Sequence, residues 1–84
     1  MSYRKIFYIV EETQVDNGIK SNTSLIFDNE DETIACNQAY ARYYQILSSA
    51  SVSLIEYHAA RILRSDGMLI DTHTFDRREE EPAE

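Results

Sequence analysis

The stretch IFYIVEETQVDNGIKSNTSLIF, residues 6–27, decides the fold, because it has the pattern of two strands joined by a tight turn. Its unbroken β-prone run, Ile6 to Val10, predicts a first strand over residues 3–12 that is buried on both faces. Asp16-Asn17-Gly18 is the strongest turn signal in the chain, since Asn and Gly tolerate the positive φ of a tight hairpin. A second strand is predicted from Ile19 to Phe27. The chain therefore begins with a β-hairpin.

An acidic cluster, Asp28 to Glu32, follows the hairpin and is typical of a helix start. Asn29 with Glu32, or Asp28 with Asp31, fits a capping box. Acidic side chains in the first turn also favour the positive end of the helix dipole. The helix is predicted to end at Ser48 or Ser49.

The apolar side chains of this segment recur at helical spacing and fall on a single arc. That arc contains Ala35, Cys36, Ala39, Tyr40, Tyr43, Ile46, Leu47 and Ala50. The helix is therefore amphipathic and covers one surface. Tyr43 is predicted in the core and Tyr40 at its edge, whereas Tyr44 falls outside the arc and is predicted to be a surface contact.

Two more strands are predicted, Tyr57 to Arg64 and Met68 to Asp76, with Ser65-Asp66-Gly67 as the loop between them. Residues 52–56 fit either a strand or a helix, and the strand order and register of residues 52–76 stay open. The segment 77–84 is acidic, has little apolar content and is predicted to be a disordered tail. Residues 1–76 then form a single α+β domain with ββαββ order, a four-stranded, mainly antiparallel sheet with one amphipathic helix packed on one face.

The helix covers only one face of the sheet, so the composition of the other face matters. A strict three-residue loop would pair residues as follows: Leu63–Leu69, Ile62–Ile70, Arg61–Asp71, Ala59–His73 and Tyr57–Phe75. In that register Tyr57, Leu63, Leu69 and Phe75 share the uncovered face, and the sequence predicts an interface there for a homodimer or a protein partner. The alternative is a modestly apolar, hydrated face. A register change of one residue would redistribute these side chains.

The sequence carries no pattern for catalysis, for a cofactor or for a metal ion. His58 and His73 point to opposite faces in this register, and Cys36, the only cysteine, lies on the apolar arc of the helix. Both glycines, Gly18 and Gly67, are assigned to turns, which leaves no glycine-rich loop for phosphate. The expectation is a non-enzymatic protein without a cofactor.

Net charge narrows the classes of partner. Eight basic residues against fifteen acidic ones give a net charge of −7, which argues against direct nucleic-acid binding. The longest apolar run near the start of the chain has five residues, too few for a membrane span, so a cytoplasmic location without membrane contact is expected. The acidity also supports an alternative function, an acidic nucleic-acid mimic that inhibits a nucleic-acid-handling enzyme through Glu30, Asp31 and Glu32.

The layout itself carries a resemblance. The order of strand, turn, strand, acidic helix start, YARYYQIL helix and a last hairpin around RSDGMLI covers residues 3–76. It resembles small acidic, uncharacterised proteins encoded in prophages and mobile elements of Firmicutes. The resemblance implies a phage-related cytoplasmic accessory protein and assigns no site residues.

Overall fold

A computed structural model describes residues 6–77. Their elements, in chain order, are β1 (Tyr8–Asp16), β2 (Ile19–Phe27), α1 (Glu32–Ser51), β3 (Tyr57–Arg64) and β4 (Leu69–Asp76). The strands form one sheet in the order β2-β1-β3-β4, and every neighbouring pair is antiparallel. The predicted α+β fold with ββαββ order is confirmed.

The first hairpin turns through two residues only. Asn17 and Gly18 both have positive φ, 55° and 79°, so Asp16 pairs directly with Ile19. Since pairing continues up to the turn, β1 extends to Asp16. The predicted first strand over residues 3–12 is therefore wrong in its bounds, and its residues 3–5 lie outside the described part of the chain.

Helix α1 begins and ends later than predicted. Asp31 is the N-cap, and its Oδ1 accepts a 2.9 Å hydrogen bond from the Thr33 backbone N–H. Asn29 Oδ1 instead accepts from the Asp31 backbone N–H at 2.9 Å, so Asn29 positions the cap residue and does not cap the helix itself. No Gly or Pro interrupts the serines near the end, and the helix continues to Ser51. The segment between α1 and β3 is neither strand nor helix.

The core lies between α1 and the inner sides of β1 and β3. Three alanines, Ala35, Ala39 and Ala60, are almost fully buried and let the helix approach the sheet closely. The larger side chains of the core are Tyr8, Val10, Tyr43, Ile46 and Ile62. The predicted apolar arc is confirmed, with Tyr43 buried, Tyr40 half-buried and Tyr44 exposed.

A β-bulge changes the register of the second hairpin. The loop is as predicted, with Gly67 at a φ of 95° and Leu63 paired with Leu69. The pairing then shifts between Ile62 and Leu63, so that Ile62 pairs with Asp71 and Ile70 becomes the extra residue. The remaining predicted pairs are wrong by one position: Arg61 pairs with Thr72, Ala59 with Thr74 and Tyr57 with Asp76.

Arg77 ties the end of β4 to the end of the helix. Its backbone N–H donates to the Glu56 carbonyl at 2.6 Å, and its guanidinium Nη2 donates to the Ala50 carbonyl at 2.6 Å. The tail predicted to be disordered begins at Arg77, and this stays a prediction, although Arg77 itself makes the two hydrogen bonds described above. The rest of the predicted tail, residues 78–84, lies outside the described residues.

Candidate functional site: the open face of the sheet

The sheet face opposite α1 is not covered by any element within residues 6–77, and we call it the open face. The registers of the three strand pairs arrange its side chains in four rows that cross all four strands. In the order β2-β1-β3-β4 the rows are Ile26–Ile9–Leu63–Leu69, Ser24–Glu11–Arg61–Thr72, Asn22–Thr13–Ala59–Thr74 and Lys20–Val15–Tyr57–Asp76.

The first of these rows, which we call the apolar row, consists entirely of aliphatic side chains. Ile9 and Leu63 lie on the central strands and are half-buried. Ile26 and Leu69 lie on the two edge strands and are 64% and 50% exposed. An aliphatic stripe that crosses a whole sheet and stays exposed at both edges is a feature of docking surfaces.

An ion pair lies beside the apolar row. Arg61 Nε is 2.6 Å from Glu11 Oε1, and the two side chains remain 55% and 30% exposed. Next to this pair, Thr13 Oγ1 donates to Asn22 Oδ1 at 2.7 Å. The middle of the open face is therefore polar and ordered by hydrogen bonds between strands.

The small side chain of Ala59 leaves a hollow near the centre of the open face. The concavity measures about 430 Å³, and its lining includes Glu11, Thr13, Tyr57, Arg61 and Thr74. Hydroxyl, carboxylate and guanidinium groups surround it, so its lining is polar.

The predicted interface residues do not form one surface. Tyr57, Leu63 and Leu69 lie on the open face, as predicted. Phe75 pairs with buried His58 and therefore lies on the helix side of the sheet. The reason is the bulge, which moves the β4 residues after it to the face opposite to the predicted one. There its ring contacts His73, with centroids 4.7 Å apart, and the Arg77 guanidinium. Tyr44 is exposed on α1, away from the open face.

Sequence reasoning missed three contributors to the open face: Ile9, Glu11 and Ile26. The signal is present for all three, because a two-residue Asn17-Gly18 turn pairs Ile9 with Ile26 and Glu11 with Ser24 by simple counting. Arg61 is predicted on this face, but opposite Asp71, a pairing that the bulge removes.

The predicted acidic contact, Glu30, Asp31 and Glu32, is partly engaged within the chain. Asp31 caps the helix, and Glu32 Oε2 accepts a 2.8 Å hydrogen bond from the Tyr8 hydroxyl. Burial of Tyr8 and its hydrogen bond to Glu32 raise the pKa of this phenol to about 12. These contacts give the cluster a role in anchoring the helix start.

A second polar group lies under the helix, centred on Glu12. Its Oε2 contacts His58 Nε2 at 2.6 Å and accepts from Gln14 Nε2 at 2.9 Å, while Arg42 Nη2 lies 3.7 Å from Oε1. Burial acts to raise the pKa of the Glu12 carboxyl, but the hydrogen bonds from His58 and Gln14 outweigh it and the pKa is lowered. The group therefore stabilises an ionised carboxylate beneath α1.

The two histidines lie on the same side of the sheet. His58 pairs with Phe75 and His73 with Ala60, so both face α1, and the prediction of opposite faces is wrong. Arg42 beside Glu12 would repel a cation there, and residues 6–77 contain no grouping of three or more His, Cys, Asp or Glu side chains suited to a metal ion. Likewise, α1 is not apolar enough to cross a membrane, and it is the only helix of the described part.

The predicted resemblance to prophage-encoded proteins stays a prediction. Comparison of the chain with protein-family models, with curated proteins and with solved structures gives no match.

Proposed function

We propose that this chain is a small, non-enzymatic interaction module that associates with a second copy of itself through the open face of its sheet. The observation that carries the proposal is the apolar row Ile26–Ile9–Leu63–Leu69, which crosses all four strands on the face opposite α1. Burying these aliphatic side chains against a partner is favourable at roughly 25 cal/mol per Å² of apolar surface.

The charge of the open face supports a second copy as the partner. The whole chain carries −7, but the open face has two acids, Glu11 and Asp76, and two bases, Lys20 and Arg61. Two copies that meet through this face therefore bring no local excess of negative charge together. Association through the acidic helix start would, in contrast, place like charges in contact.

The area of the open face predicts a weak association. Four strands about 4.8 Å apart and eight residues of about 3.4 Å give a face of roughly 500 Å² per copy. This is at the small end of specific protein–protein interfaces. We expect a monomer–dimer equilibrium that is visible between roughly 5 and 500 μM protein.

Two substitutions at opposite edges of the sheet test the proposal. Leu69→Asp on β4 and Ile26→Asp on β2 each place a charge in the apolar row, and each is expected to give a folded monomer in sedimentation equilibrium. Edge-to-edge association through one strand would be sensitive to only one of them. Loss of the dimer in both therefore identifies the open face.

The matched control is Ile34→Asp. Ile34 is 44% exposed on α1, so this variant adds the same charge away from the open face and is expected to keep the wild-type dimer. A wild-type chain that sediments as a monomer at the highest concentration contradicts the proposal.

A further inference from the structure

The four rows of the open face have a pattern that specifies how two copies meet. We infer that the dimer has its two-fold axis parallel to the strands, so that Glu11 of each copy lies opposite Arg61 of the other. This inference rests on the proposed function, since it assumes association through the open face.

A two-fold axis along the strands, between β1 and β3, exchanges the two halves of the sheet. In such a face-to-face pair β1 lies opposite β3 of the second copy, and β2 lies opposite β4. Each row then meets itself in reverse order. The apolar row places Ile9 opposite Leu63 and Ile26 opposite Leu69, so all its side chains meet aliphatic partners.

The charged rows are also complementary in this orientation. Glu11 and Arg61 already pair within one chain at 2.6 Å. In the dimer, Glu11 and Arg61 of the two copies form a square of four charges, in which each acid lies next to two bases. In the last row Lys20 comes opposite Asp76, and in the third row Thr13 comes opposite Ala59, with the larger side chain facing the hollow.

The other face-to-face axis, perpendicular to the strands, destroys these matches. It would place the apolar row opposite the row that contains Lys20 and Asp76, and Glu11 opposite Thr13. Aliphatic side chains would then bury charged ones, which is unfavourable. The relative rotation of aligned sheets, about 30°, moves the corners most and the central residues least, so Glu11 and Arg61 remain opposed.

Charge reversal on the central strands tests the orientation. Glu11→Arg brings four bases together at the dimer centre, and Arg61→Glu brings four acids together. Each single variant is expected to weaken self-association at least about tenfold by charge repulsion across the interface. An equimolar mixture of the two variants is expected to form a 1:1 heterodimer in native mass spectrometry, with an affinity close to that of the wild type.

The double variant Glu11→Arg/Arg61→Glu is the matched control. It restores the pair within each chain as well as the square of charges between copies, so it is expected to self-associate like the wild type. Circular dichroism spectra are to be compared with that of the wild type to check that each variant is folded.

The outcomes separate the inference from the proposed function. If Leu69→Asp abolishes the dimer but neither single charge reversal weakens it, the open face is the interface and the strand-parallel axis is wrong. A mixture that stays monomeric also overturns the orientation. A monomeric wild type overturns both proposals.

Discussion

Glu11 and Glu12 are neighbours in sequence but serve opposite faces of the sheet. Glu11 points to the open face and pairs with Arg61 in partial solvent. Glu12 points under α1, where its side chain is 14% exposed and contacts His58 and Gln14. Because strand side chains alternate between faces, one position decides whether a carboxylate forms a surface pair or a buried group.

Glu12→Gln is expected to destabilise the protein at pH 7 by about 1–3 kcal/mol, since it weakens the buried hydrogen bonds to His58 and Gln14. The folded pKa of Glu12 is lowered, so its contribution to stability is present above its unfolded pKa of about 4.3. It is lost as pH falls through the folded value. Urea unfolding should therefore show a difference from wild type that shrinks as the pH falls below about 4.3 and through the lowered folded pKa.

The control for this prediction is Glu11→Gln, which removes the charge from an exposed pair. At protein concentrations that favour the monomer, it is expected to change stability by less than about 1 kcal/mol at any pH. Equal stability of wild type and Glu12→Gln at pH 7 would show that the group under the helix adds nothing to stability.

At the scale of elements, α1 is held at both ends by groups from other parts of the fold. Tyr8 on β1 donates to Glu32 in the first turn. No basic residue lies in the last turn, but Arg77, which follows β4, donates to the Ala50 carbonyl. A cation at this end also complements the negative end of the helix dipole.

Arg77→Ala is expected to lower the free energy of unfolding by about 1–2 kcal/mol, because it removes a charged hydrogen bond and the contact with the Phe75 ring. Hydrogen exchange should show reduced protection in the last turn of α1. Arg77→Lys keeps the charge but not the planar guanidinium, and it is expected to lose about half of this energy. A residue in a disordered tail would show neither effect, so an unchanged stability would support the tail prediction for this position.

Most elements could be predicted from the sequence because local rules specify them. Asn17-Gly18 encodes a two-residue turn, Gly67 encodes the second loop, and the spacing of Ala35, Ala39 and Tyr43 encodes the buried side of the helix. The bulge at Ile70 could not be predicted, because neither Gly nor Pro marks it. The bulge depends on tertiary contacts, because it turns the Asp71 side chain toward the helix.

The contacts of Asp71 show what the bulge achieves. Burial and the nearby Asp71 carboxylate raise the pKa of Tyr43 to about 12, and the same two causes raise the pKa of Tyr40. Asp71 therefore lies close enough to these two phenols on α1 to disfavour their ionisation, a proximity that requires the completed fold. The bulge also places Phe75 on the helix side of the sheet, so the prediction that Phe75 shares a face with Tyr57, Leu63 and Leu69 is wrong.

At the scale of the whole molecule, the central strand pair joins distant parts of the chain. β1 lies between β2 and β3, and Glu11 and Arg61, which face each other across β1 and β3, are 50 positions apart in sequence. The β1–β2 and β3–β4 pairs are local hairpins, whereas β1–β3 pairing must close a long loop. The topology predicts that this closure limits the rate of folding.

Stopped-flow refolding measures this directly. Ile62 on β3 is buried and pairs with Val10 on β1. Ile62→Val is expected to cost about 1 kcal/mol of stability, and most of this loss should appear as slower folding, by up to about fivefold. Ile26→Val on the exposed edge should leave the folding rate nearly unchanged. If Ile62→Val raised only the unfolding rate, pairing of β1 with β3 would follow the rate-limiting step.

The position of β1 between β2 and β3 also means that its two backbone partners are synthesised at different times. The β1–β2 hairpin leaves the ribosome before β3, with one side of β1 still lacking the backbone partner that β3 later supplies. At translation rates of about 5–20 residues per second, the end of β3 follows the end of β2 roughly 2–7 s later. For that interval the nascent hairpin exposes an unpaired strand edge beside Val10 and Tyr8, which would suit a holding chaperone or the edge of another nascent chain.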